Sequence, residues 1–72
     1  MVSTSMERAL LEELDARGPI TVVALAEATE LHPTTVEQCC YDLHRDGYVH
    51  TTTSGVYDLT DAGRQYLTNL PD

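Results

Sequence analysis

The stretch LHPTTVEQCCYDLHRDGY, Leu31 to Tyr48, decides how the rest of the chain is read. Pro33 suits the first position of a helix, where a missing N–H costs nothing. From there Val36, Cys39, Cys40 and Leu43 fall at i, i+3, i+4 and i+7, a single apolar stripe of helical period. Gly47 supplies the stop, because only glycine takes a left-handed position freely. At 100° per residue Thr34, Gln38, Tyr41 and Arg45 line up on the side opposite the stripe. A helix over about 33–46 is therefore expected, resting on a core by one face and offering hydrogen-bonding side chains by the other.

Towards the N-terminus, Thr4 and Glu7 have the spacing of a capping box, after a frayed start at residues 1–4. Met6, Leu10 and Leu14, flanked by Ala9 and Leu11, make the inner face of a first helix that Arg17-Gly18 closes. Pro19-Ile20 reads as an extended link, with room for a short strand. Thr21 is placed to cap a second helix running to about Thr29. Its inner residues are Val22, Leu25 and Ala26, while Val23 and Ala24 should point outward. Glu30 to His32 then form a tight connection, so the second and third helices make a helix-turn-helix, without the usual glycine in its turn.

After Gly47, the β-rich runs Tyr48–Thr52 and Val56–Leu59 flank Thr53-Ser54-Gly55, a turn signal, and read as a hairpin over about 48–59. Thr60 is placed to cap a last helix whose first turn carries Asp61, where a helix N-terminus favours negative charge. Ala62, Tyr66, Leu67 and Leu70 are the expected inward residues, and Pro71 ends the helix. The order helix, helix, helix, strand, strand, helix defines a mainly α class with a small β-hairpin (α+β), a single winged helix-turn-helix domain over 1–72. Seventy-two residues suffice for one core with little margin.

Charge is the loudest compositional signal. Twelve Asp and Glu oppose four basic residues, a formal net charge of −8. The basic residues are Arg8, Arg17, Arg45 and Arg64, and lysine is absent. The acids are dispersed, which is the style of proteins from salt-loving archaea and not of an acidic tail. There is no signal-peptide pattern and no apolar run near the roughly 20 residues of a membrane helix, so a cytoplasmic location without membrane contact is expected.

Gly18-Pro19-Ile20-Thr21-Val22, Leu25-Ala26-Glu27-Ala28, Thr35-Val36 followed by Leu43, Asp46-Gly47-Tyr48-Val49 and Tyr57-Asp58-Leu59-Thr60-Asp61-Ala62-Gly63 carry a resemblance. Together, over about Met6 to Leu70, they resemble the winged helix-turn-helix domains of MarR-type and related archaeal transcriptional regulators. The resemblance implies a DNA-binding regulator of double-stranded DNA, with the third helix in the major groove and the wing on the backbone. The implied recognition residues are Thr34, Thr35, Gln38, Tyr41 and Arg45; the implied wing contacts are Thr53, Ser54 and Gly55. The chain departs from the pattern in its charge, with one arginine against Glu37, Asp42 and Asp46 in the recognition segment and no arginine or lysine in the wing. It also has no length for the extra dimerisation helices of full MarR-type proteins, although operator binding would favour a homodimer.

The alternative is a winged-helix adaptor that binds protein and not DNA, with Val23 and Ala24 as its partner surface. Cys39 and Cys40, with His44 and His50, offer no convincing fourth ligand for zinc, and both thiols fall on the stripe the core needs. No cationic neighbour is evident to activate a thiol. His32, His44 and His50 have no assigned nucleophile or orienting carboxylate, and there is no phosphate-cradling glycine loop. A non-enzyme is expected, with no cofactor, no metal and no evident small-molecule substrate.

Overall fold

The computed structural model describes residues 4–52 and 55–70, with Thr4 by its backbone alone. Thr53, Ser54 and Pro71 lie outside the described residues, as does the Thr4 side chain on which the capping box depends. The elements follow in the order α1 (Thr4–Arg17), β1 (Ile20–Thr21), α2 (Val22–Thr29), α3 (Pro33–Arg45), β2 (Val49–Thr51), β3 (Val56–Leu59) and α4 (Asp61–Asn69). With its three-stranded sheet, this is a winged helix-turn-helix of α+β class.

The extended link after α1 is a true strand, and it converts the hairpin into a sheet of order β1-β3-β2. Ile20 opposes Tyr57 and Thr21 opposes Val56 in the antiparallel pair β1–β3. On the other side of β3, Val49 opposes Leu59 and Thr51 opposes Tyr57. Two residues of β1 thereby tie the wing to the foot of α2. Thr21 does both jobs, since its hydroxyl also accepts from the Ala24 N–H as the N-cap of α2.

Leu10, Leu11 and Leu14 of α1, Ile20, Leu25, Ala26, all four residues of the α3 stripe, and Val49 form one buried cluster. Val22, Tyr48, Tyr57, Leu59, Tyr66, Leu67 and Leu70 close over it, each partly buried. With no tryptophan or phenylalanine available, three of the four tyrosines act as its rim. Tyr48 and Tyr66 stack with ring centroids 4.2 Å apart and planes 5° off parallel. The Tyr66 hydroxyl also donates to Glu7 Oε1 at 2.7 Å, joining α4 to α1.

Two expectations need correction. Ala24 is not outward; it is half-buried against the core, because the eight-residue α2 is enclosed by α1, α3 and β1 together. Ala62 is exposed, and the inward stripe of α4 runs instead through Gly63, Tyr66, Leu67 and Leu70, again at i, i+3, i+4 and i+7. Glycine sits at the head of that stripe for lack of space. A Cβ on Gly63 would overlap the Tyr48 carbonyl oxygen and stand 2.8 Å from Leu59 Cδ1.

Candidate nucleic-acid interface

The candidate interface is the outer side of α3, and both ends of that helix are held by local chemistry. At its start, Pro33 occupies the first turn and His32 is the N-cap, its Nδ1 accepting from the Thr34 N–H at 3.2 Å. Histidine is an unusual cap beside Ser, Thr, Asp and Asn, so the sequence signal was only its place before Pro33. Nδ1 must be unprotonated to accept this bond. The missing glycine of the helix-turn-helix is replaced by Glu30, whose φ of 60° puts a side-chain-bearing residue in the left-handed region.

At its end, the Tyr48 N–H reaches the Leu43 carbonyl at 2.9 Å and the Gly47 N–H reaches that of His44 at 3.0 Å. This 6→1 and 5→2 pair is a Schellman motif, with Gly47 at φ 84°. His44 donates from Nδ1 to the Val49 carbonyl at 3.2 Å, bracing α3 against β2. Thr60 fastens the same corner from the far side. Its hydroxyl donates to the Gly47 carbonyl at 2.7 Å and accepts from the Gly63 N–H at 3.0 Å, capping α4. Asp61 stands in the first turn of that helix as expected.

Between those fixed ends, the inner stripe of α3 is sealed: Val36, Cys39 and Cys40 are 0 % exposed and Leu43 1 %. Thr34, Gln38, Tyr41 and Arg45 are all exposed, and Tyr41 stands out at 65 %. Thr35 is half-buried on the flank of this row. At the wing, Gly55 is exposed at φ 80°, its N–H donating to the Thr52 carbonyl. Val23, at 63 %, is exposed at the start of α2, and without Ala24 it stands there as a single apolar side chain.

Three of the four arginines are exposed but paired with carboxylates. Arg45 lies 3.8 Å from both Asp42 and Asp46, an exposed and therefore weak pairing. Arg17 bonds Glu13 at 2.7 Å, and Arg64 reaches Asp15 at 3.1 Å and Asp61 at 3.6 Å. Arg8 is half-buried, its Nη2 enclosed with no hydrogen-bond partner among the described residues.

The cysteines are free and buried. Burial, reinforced by Cys40, Glu7 and Asp42, pushes the Cys39 thiol up to about 12, and burial alone pushes Cys40 up to about 11. Both are the opposite of an activated thiol. Among the described residues no three His, Cys, Asp or Glu side chains converge as a metal site. No helix among them is long and apolar enough to cross a membrane.

Comparison with solved structures places the fold among winged helices. The Zalpha domain of Carassius auratus PKZ, solved in complex with Z-DNA, is 29% identical at a TM-score of 0.76, covering 79% of this chain and 95% of that one. A MarR family transcriptional regulator from Silicibacter pomeroyi is 28% identical at 0.80, covering 90% of this chain and 45% of that one. The PcaV transcriptional regulator of Streptomyces coelicolor, 24% identical at 0.83, covers 94% and 52% respectively. The chain thus spans nearly all of the Zalpha domain but about half of each MarR-type neighbour. No family model and no curated protein matches it.

Proposed function

We propose that this chain is a DNA-binding winged helix-turn-helix domain of a transcriptional regulator, single over residues 1–72, and that it reads duplex DNA with the outer row of α3. The observation that carries the reading is that row. Four side chains at helical spacing are exposed while the opposite stripe is sealed, and the helix is braced at both ends. A recognition helix needs such a rigid back and a hydrogen-bonding front. Gln38 is suited to adenine edges, Thr34 and Thr35 to acceptors or a thymine methyl, and Arg45 to guanine. Tyr41 adds an apolar surface with a hydroxyl tip. Thr53, Ser54 and Gly55 are the proposed wing contacts to the backbone. The lysine-free acidic surface supports operation in concentrated salt, in the haloarchaeal style.

A second reading has its own support. The 29% identical neighbour matched over almost its entire length was solved on Z-DNA, which makes left-handed duplex a candidate target on the same face.

The test is an amide chemical-shift titration with two duplexes, one of mixed sequence and one of alternating dC and dG held in the left-handed form. Shifts at Thr34, Thr35, Gln38 and Tyr41 with the mixed duplex support the regulator reading. Shifts with the left-handed duplex alone transfer the site to the second reading. Gln38→Ala is expected to weaken binding by about 1–3 kcal/mol at its base pair, with folding stability unchanged within about 0.5 kcal/mol. Silence with both duplexes at every salt concentration overturns DNA binding and returns the chain to the adaptor alternative.

A further inference from the structure

The way charge is distributed across this face fixes how binding must respond to salt. When a helix lies in a groove, its outermost row meets bases and its two flanks meet the phosphate strands that wall the groove. At 100° per residue, Glu37 and His44 fall on one flank of α3, and Thr35, Asp42 and Asp46 on the other. Carboxylates therefore stand on both sides, all three reachable by solvent. The helix's one arginine is shared between Asp42 and Asp46. Neither wing strand carries an arginine or lysine, and the other three arginines are paired within the fold or tucked against it.

Ordinary duplex binding gains affinity by releasing cations that the phosphates had condensed, at a slope of about −0.9 in log–log terms per phosphate neutralised. Here one arginine on the face, Arg45, already shared between Asp42 and Asp46, is all that could replace those cations, against three carboxylates. Bringing two surfaces of like charge together raises the local negative potential, and electroneutrality then demands more cations in the complex than in the separated partners. Resting on the DNA-binding reading above, we propose that this interface takes up cations when it closes on a duplex, so that its affinity holds or rises as KCl increases. The neutral contacts of Thr34, Thr35, Gln38 and Tyr41 supply the attraction, and salt removes the repulsion that opposes them.

Fluorescence anisotropy of whichever labelled duplex gives the shifts above, from about 0.1 M to about 1 M KCl, tests this over the range in which the Debye length falls from about 10 Å to about 3 Å. The expected slope of log affinity against log salt is zero or positive, and a slope of +1 reads as a gain of about tenfold over that decade of salt. The variant E37Q/D42N/D46N removes the flanking carboxylates and frees Arg45. Its slope is expected to turn negative, to about −0.9. A negative slope for the unmodified chain overturns the inference while leaving DNA binding intact, and so does a variant whose slope matches the unmodified chain's. Absence of binding at every salt concentration strikes the DNA-binding reading itself, a result distinct from either.

Discussion

The two faces of α3 are made from one thirteen-residue helix and obey opposite rules. Inside, Val36, Cys39, Cys40 and Leu43 have no freedom, since they meet α1, α2 and β2 at once. Outside, Thr34, Gln38, Tyr41 and Arg45 are exposed, and among the described residues their ion pairing is that of Arg45, at 3.8 Å. The contrast shows that the helix is positioned by its inner stripe and its two ends, not by its outer row. Its front adds little to the packing that holds the chain together, which is what the proposed DNA-reading role requires.

That contrast is broken most severely at a residue behind the helix. Gly63→Ala forces a methyl group into the Tyr48 carbonyl at the exit of α3, and backbone cannot step aside as a long side chain can. Overpacking of this kind costs about 3 kcal/mol or more, close to the whole of what so small a core supplies, about 3–5 kcal/mol. Thermal unfolding followed by circular dichroism should show the cooperative transition lost or shifted far down. A variant that melts like the parent would mean that the α3–α4 corner is loosely held.

The next largest effect separates the faces by pH. Burial raises both thiols above their ordinary value of 9.0, so the folded chain keeps protons that the unfolded chain releases. The stabilisation is then fully present below about pH 9 and is lost as pH rises towards 11 and 12. The loss is on the order of 1 kcal/mol per pH unit for each thiol. Tyr66, whose bond to Glu7 raises it to about 12, acts in the same direction from about pH 10. Urea midpoints at pH 7 and pH 10 should differ clearly, and Cys39→Ala with Cys40→Ala should flatten the difference. A flat profile in the parent chain would contradict sealed thiols.

The smallest effect lies at the entrance to α3. Glu30 holds a left-handed backbone at a cost of roughly 1–2 kcal/mol for a side-chain-bearing residue, and glycine there costs about 0.5–1 kcal/mol in chain entropy. Glu30→Gly should therefore stabilise the chain by up to about 1 kcal/mol, whereas Gly47→Ala, at the exit, should destabilise it. Denaturant midpoints of the two variants moving the same way would show that the two left-handed junctions are not equivalent in strain.

Much of this was legible beforehand. The periodicity of Val36, Cys39, Cys40 and Leu43, the caps Thr21 and Thr60, and the stops at Gly18 and Gly47 are local features, and local sterics and hydrogen bonding settle them within a few residues. The same spacing put Thr34, Gln38, Tyr41 and Arg45 on one exposed face. The inward stripe of α4 is hidden from hydropathy because its leading residue is glycine, which carries no such signal, so that the pattern alone points to Ala62.

What the sequence determined by itself was the four helices and the hairpin in their order, the apolar stripe of α3 and the acidic balance, because each depends on residues within a turn or two of one another. Only the tertiary structure decided that Glu30 takes the left-handed turn, that His32 caps α3, that Gly63 lies under the Tyr48 carbonyl and that Tyr66 bridges to Glu7. It also decided which acids hold Arg45 and Arg64. Contacts such as Tyr66 to Glu7 and Arg64 to Asp15 join residues far apart in the chain, and no period or propensity encodes a distance that exists only after the elements have packed.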